Sequence, residues 1–188
     1  MIKRVFFAIN PDQEKREKIW NILEEKKSLF PHGSVKWVEK ENIHLTLIFV
    51  GGIKEEKIEK LIFAAKKTSK MIDPFEVPFF KVCYHYNKGV PQLIWLKGET
   101  TEELSLLKKE LEKNLEEEGV VFAKKDDILA HITIGRVRKW EIKKMEKEEI
   151  PEVEEDISLS LPASSISLFE SVLKKEGPQY NLLESIDL

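Results

Sequence analysis

Cysteine occurs once in the 188 residues, at Cys83, which excludes an intramolecular disulfide and the secreted scaffolds that depend on one. No apolar run is long enough to span a bilayer as a helix. The opening residues, MIKRVFFAINPDQEK, lack the apolar stretch and small-residue cleavage site of a signal peptide and turn polar at once. Together these absences predict a cytoplasmic protein with no membrane partner. The net charge is only −3, so no whole-molecule field draws the chain to nucleic acid, and any such contact must come from a local basic patch. No P-loop, HxH or HExxH pattern is present, and no low-complexity segment or linker divides the chain. Asn and Gln are sparse against Lys and Glu, a bias that resembles a thermophile's.

What is present supports one domain over residues 1–188. Hydrophobic residues make up 41%, enough for a core at this length, and charged residues 35%, which gives a densely charged surface. RVFFAI (4–9) reads as a buried strand. A helix over 11–30 follows, with Asn10 as cap, Pro11 in first position and Gln13 closing a capping box. VKWV (35–38) and IHLTLIFVG (43–51) read as strands, the second ending in a double glycine, and 54–70 as an amphipathic helix. FEVPFFKVCYHY and PQLIWLKG read as strands joined by a turn at Asn87-Lys88-Gly89. A helix over 101–118 is capped by Thr100 or Thr101 and stopped by Gly119. VVFA (120–123) and ILAHITIGRV (128–137) read as strands and KWEIKKMEKEEI as a short helix. EDISLSL, SSISLFESVL and YNLLESI read as three closing strands, with a turn at Glu176-Gly177-Pro178.

The order strand, helix, short strand, strand with His-x-Thr occurs twice. Pro11 stands 33 residues before His44, and Thr101 stands 30 before His131. Such a repeat predicts two similar lobes about a pseudo-twofold axis. On a strand, residues i and i+2 share a face, so His44 points with Thr46 and His131 with Thr133, while Leu45, Leu47, Ile132 and Ile134 point to the core. A lone strand His is ordinarily just a residue on a wet face. Here Thr is five residues and His four, so two His-x-Thr pairs arise by composition about once in two hundred. Across a twofold the two polar faces meet in one cleft. That suits phosphodiester cleavage: one imidazole activates the attacking oxygen, the other protonates the leaving oxygen, and the hydroxyls donate to the non-bridging oxygens. No metal or other cofactor is required. The chemical rival is a three-histidine metal site with His85 as third ligand; no carboxylate stands at ligand spacing in either motif, and His85 reads better as structural. His32 reads as surface and Cys83 as a small core residue.

HLTLIFVG and HITIGRV resemble the paired motifs of the two-histidine phosphoesterase superfamily, and within it the RNA 2′,3′-cyclic phosphodiesterase branch, also called LigT-like or 2′–5′ RNA ligase. RVFFAINP resembles that family's opening strand, KWVEKENIHLTLIFVG its first motif with run-in, and SLFESVLKKEGPQYNLLESIDL its C-terminal hairpin. The resemblance implies an α+β fold, bilobal, with two pseudo-twofold-related antiparallel sheets, helices outside and a central cleft. It implies hydrolysis of an RNA terminal 2′,3′-cyclic phosphate to a 2′-phosphomonoester, with His44 as proton donor and His131 as acceptor, and 2′–5′ ligation as the reverse reaction. RNA ends of this kind, tRNA fragments among them, are the implied partners of a monomer. Other readings are a relative acting on a cyclic nucleotide or another RNA 3′ end, and an RNA-binding module without turnover, which intact motifs disfavour.

Two departures stand out. Ile48 takes a place that is often basic in relatives, and Gln179-Tyr180 keeps only the aromatic of a frequent Arg-Tyr. Arg136, three residues after Thr133, would face away on an unbroken strand, but a bulge at Gly135 would turn it to the cleft, with Arg138 beyond it. Trp37, Phe49 and Tyr180 are candidates to stack on a base, although core packing is the plainer reading of Trp37 and Phe49. Lys36, Lys124 and Lys125 are candidates to guide a strand, against ordinary surface in a chain with 27 lysines.

Overall fold

Strand β1 (Ile2–Ile9) buries every residue from Val5 to Ile9, because both of its faces are covered. A computed structural model of the chain describes residues 1–124, 127–142, 146–175 and 177–188. Helix α1 (Gln13–Lys27) is capped by Asp12, whose carboxylate accepts from the Lys15 N–H at 2.7 Å, and not by Asn10 as its sequence suggested. The Asn10 side chain is engaged elsewhere: its Oδ1 accepts from Arg16 Nη2 at 2.6 Å. Next come β2 (Val35–Trp37), β3 (Leu45–Lys54) and α2 (Ile58–Ser69). Strand β3 does not stop at Gly51-Gly52. Val50 is the extra residue of a bulge opposite β1, Gly51 follows it at φ +88°, and the ladder continues to Lys54.

Strands β4 (Phe75–Asn87) and β5 (Val90–Gly98) form the expected hairpin, with Lys88 and Gly89 both at positive φ in the turn. Helix α3 (Glu102–Glu117) is capped by Thr101, which accepts from the Leu104 N–H at 3.2 Å. Residues 120–123 are not a strand. Val120 is buried but Val121 is 92% exposed, and with no ladder partner among the described residues a four-residue run does not hold as β-structure. Strand β6 (His131–Val137) is shorter than expected. Helix α4 (Lys139–Ile142) and a turn of 3₁₀ helix at Lys147–Glu149 lie in the stretch read as a short helix, whose residues 143–145 are outside the described residues. Strands β7 (Glu155–Ala163), β8 (Ser165–Leu173) and β9 (Pro178–Asp187) close the chain; Glu176 of the expected final turn also lies outside the described residues.

All strand pairs are antiparallel. Their order is β7-β4-β5-β6-β3-β1-β8-β9, with β2 also on β6. The two halves, β6-β5-β4-β7 and β3-β1-β8-β9, repeat each other outward from the middle. The expected two sheets therefore run into one, joined between β3 and β6 by a single register pair, Leu45 with Ile132. On one face, Ile19 and Leu23 of α1, Leu61 and Ala65 of α2, and Leu104 and Leu111 of α3 pack with Phe7, Ile94 and Ile132 into the main core. Asn114 of α3 donates to the Thr68 hydroxyl of α2 at 2.9 Å inside this layer, which satisfies both buried groups. On the opposite face a small cluster of Phe6, Ala8 and Phe169, with Tyr180 against it, floors the first half. Among the described residues no helix is long and apolar enough to cross a membrane.

Candidate active site

The junction pair explains how the two motifs meet. Each catalytic candidate is the residue just before it: His44 precedes Leu45 and His131 precedes Ile132. Leu45 and Ile132 are fully buried toward the helices. Alternation then sends His44 with Thr46, and His131 with Thr133, to the opposite face, where all four line one cleft of about 630 Å³.

The imidazoles are held alike. His44 Nδ1 lies 2.7 Å from the Asn42 carbonyl, and His131 Nδ1 lies 2.7 Å from the Leu129 carbonyl. A carbonyl only accepts, so Nδ1 carries the proton in both rings and Nε2 is left for chemistry. His44 Nε2 is 2.9 Å from the Thr46 hydroxyl, which donates to it when the ring is neutral.

Their surroundings differ. His44 sits between Phe6, at 4.9 Å between ring centres, and the edge of Tyr180, at 5.2 Å. Burial pulls its pKa down to about 4. The bond to the Asn42 carbonyl acts the other way, and positive charge on His131 when that ring is protonated, on Arg136 and on Arg16 adds smaller downward pushes. Before substrate binds, His44 is therefore uncharged at neutral pH. His131 instead stacks on the face of Trp95, at 4.0 Å and 27°.

Arg136 reaches the cleft through the expected bulge. Gly135 pairs with Ile94 and Thr133 with Trp95, so Ile134 is the extra residue and Arg136 returns to the His131 face. Gly135 is required by close approach as well, since a Cβ there would stand 2.8 Å from Val35 and 3.2 Å from the Trp37 ring. Strand β3 carries the same irregularity. Ile48 pairs with Phe7 and Thr46 with Ala8, which makes Leu47 the extra residue. Phe49, and not Ile48, therefore occupies the place that Arg136 has in the second half. Ile48 is 4% exposed, whereas Phe49 is 53% exposed and lines the cleft, so core packing does not describe it. One wall of the cleft thus carries a cation and the other an aromatic ring.

The remaining candidates divide. Tyr180 lines the cleft, its phenol pKa raised by burial. Trp37 lines it too, half-buried with its ring edge-on to Phe30 at 5.4 Å, so the packing and cleft readings both apply. Lys36 lines the cleft with its ammonium beside Gly177. Lys124 is not on this wall and pairs with Glu116 at 2.6 Å; Lys125 lies outside the described residues. Arg138 and His32 are exposed and line no part of the cleft. Cys83 is half-buried and its thiol pKa is raised by that burial, so it is no nucleophile.

His85 is not the third member of a ligand set. It stacks on the far face of Trp95 at 3.9 Å and 14°, which puts the indole between it and His131. Among the described residues no group of three or more His, Cys, Asp or Glu converges as a metal site.

Sequence reasoning missed Trp95 and Arg16. Trp95 is identified only by the β5–β6 register, which sets it opposite Thr133. Arg16 donates to the carbonyls of Lys40, Glu41 and Ile43 at 3.1–3.3 Å and so fixes the turn whose Asn42 carbonyl holds His44. Nothing local in the sequence marks that contact, which spans more than twenty residues.

The chain is similar to known proteins along nearly its whole length. The family model described as LigT like Phosphoesterase matches twice, over residues 9–95 and 94–180, and each match contains one His-x-Thr pair. A protein of Thermotoga maritima named RNA 2′,3′-cyclic phosphodiesterase is 31% identical over 185 residues, 96% of this chain and 92% of its own. One of the same name from Archaeoglobus fulgidus is 30% identical over 183 residues, 94% of this chain and 96% of its own. Among solved structures, a Thermus thermophilus protein superposes with TM-score 0.80 at 26% identity, covering 98% of this chain and 97% of that one. Escherichia coli LigT shares the fold at TM-score 0.76 and 23% identity, covering 100% and 98%.

Proposed function

This chain belongs to the LigT-like phosphoesterase family, and from that premise we propose that it hydrolyses the 2′,3′-cyclic phosphate at the end of an RNA to a 2′-phosphomonoester. The observation that carries the reading is the convergence of two Nδ1-anchored imidazoles and two threonine hydroxyls in one cleft. Hydrolysis needs a proton taken from the attacking water and another delivered to the departing 3′-oxygen, and two imidazoles on opposite walls supply both. Thr46 and Thr133 donate to the non-bridging oxygens, where charge concentrates, and Arg136 neutralises the phosphate from the second wall. Phe49 and Tyr180 offer flat faces to the terminal base, with Trp37 at the cleft edge.

The family role for His44 is proton donor and for His131 acceptor. A ring with a pKa of about 4 carries a proton in roughly one molecule per thousand at pH 7. In the donor role His44 therefore takes up its proton as the anionic phosphodiester enters, because a negative charge beside Nε2 favours the imidazolium. When Nε2 becomes a donor, the Thr46 hydroxyl is released from it and turns its own hydrogen to the phosphate.

Residues 1–188 act as one bilobal domain, monomeric and cytoplasmic, with RNA ends such as tRNA fragments as substrate, and 2′–5′ ligation arises when the 5′-hydroxyl of a second RNA takes the place of water. His44→Ala and His131→Ala each lower kcat by about 10²-fold or more, as expected on loss of a general acid or base. A near-normal rate in either folded variant overturns the two-histidine mechanism.

A further inference from the structure

Behind each catalytic imidazole a column of rings runs outward across the strands of its own half. In the first half, His44 next to β3 meets Phe6 of β1 at 4.9 Å, and Phe6 stacks on Phe169 of β8 at 5.4 Å and 19°. In the second, His131 of β6 meets Trp95 of β5 at 4.0 Å and 27°, and Trp95 stacks on His85 of β4 at 3.9 Å and 14°. The strand triples β3-β1-β8 and β6-β5-β4 are the ones the repeat relates. The two columns differ in chemistry. The first is apolar and buries its imidazole. The second sets its imidazole on the most electron-rich ring available to a protein.

The repeat acts as an internal control on what the fold demands. Trp95 pairs with Thr133, and the residue that pairs with Thr46 in the first half is Ala8. An alanine therefore stands at the register-equivalent place of the first half, where the ring beside the imidazole comes from Phe6 instead, so the register alone does not call for an indole. Trp95 even carries a penalty, because its Nε1 is buried without a hydrogen-bond partner among the described residues. A phenylalanine would avoid that penalty, and what the tryptophan adds over it is a larger and more electron-rich face.

We propose that Trp95 is a positioning residue for His131, and that His85 is the clamp that keeps the indole in place. This inference rests on the reading of His131 as a catalytic imidazole. The Leu129 carbonyl holds one edge of the ring at 2.7 Å, which sets the tautomer, and the indole face sets the ring plane, so that Nε2 is aimed into the cleft. The contact is also not constant through the reaction. As His131 takes the proton from water it becomes an imidazolium, and an aromatic face attracts a cation more strongly than a neutral ring. The stack therefore strengthens toward the transition state, and its loss lowers kcat and not substrate binding.

The test uses the full chain with a nucleoside 2′,3′-cyclic phosphate as substrate, resolves kcat from KM, and follows the His131 ring protons by NMR. Wild type shows those protons shifted upfield by the indole ring current. Trp95→Leu removes the shift and lowers kcat about 10-fold or more, with KM within about threefold. Trp95→Phe, which restores a face, recovers most of the loss. His85→Ala lowers kcat a few-fold by loosening the indole, and His85→Phe returns it to near wild type. An unchanged kcat in folded Trp95→Leu overturns the proposal, and so does a raised KM at constant kcat, which would make the indole a substrate contact. If Trp95→Leu does not fold, the His85 pair decides: equal kcat and equal ring shifts in His85→Ala and wild type overturn it. Absence of turnover in wild type defeats instead the reading of the reaction.

Discussion

Lowering the pH in the substrate-free protein isolates His44. Its pKa in the folded state is about 4, against about 6.5 for a free imidazole, because the ring is enclosed by Phe6 and Tyr180. Between those values the unfolded chain binds a proton at this position that the folded chain does not. Stability then rises with pH, so this contribution is complete above about pH 6.5, declines as the pH falls, and is gone below about pH 4. A difference of two and a half pH units corresponds to at most about 3 kcal/mol, since the ring edge facing the cleft still meets water. Urea denaturation at pH 7, 6, 5 and 4, for wild type and His44→Gln, measures it as the part of the pH dependence that the variant lacks. Titration of the His44 ring by NMR gives the pKa directly, and inorganic phosphate should move it upward by charge attraction. A His44 pKa at or above 6.5 without phosphate, or identical stability profiles in the two proteins, refutes the reasoning.

Two further outcomes follow from the bulge in β6. Arg136→Ala lowers kcat/KM by about 10- to 100-fold, the usual worth of charge-assisted bonds to phosphate, and makes the reaction less sensitive to salt; a change within twofold removes Arg136 from the site. Gly135→Ala forces a methyl group to within 2.8 Å of Val35 and lowers stability by about 1–3 kcal/mol in thermal or urea denaturation, so an unchanged midpoint contradicts the close approach.

The sequence made the centre of the site legible because both determinants are patterns readable along the chain. A strand period of two places His44 with Thr46 and His131 with Thr133, and the repeated element order implies that the halves face each other. Gly135 announced its bulge because glycine is a visible marker. The matching bulge at Leu47 has no such marker, so Phe49 looked like a core residue until the register of β1 on β3 turned it to the cleft. Trp95 and His85 could not be found either, because their role depends on which residue lies beside which across three strands. At the level of caps and short segments, competing local partners decided. Asn10 had Arg16 to satisfy, which left the cap to Asp12, and 120–123 had no strand to pair with among the described residues.

The central claim is that this cleft opens a cyclic phosphate at the 3′-oxygen with no help beyond its own side chains. Phosphorus NMR of a short RNA ending in a 2′,3′-cyclic phosphate, incubated with the protein and EDTA, tests it in one spectrum. The account predicts loss of the cyclic resonance and growth of a single 2′-phosphomonoester signal at an undiminished rate with the chelator present. A 3′-monophosphate product, a reaction stopped by EDTA, or a cyclic end left intact would contradict it.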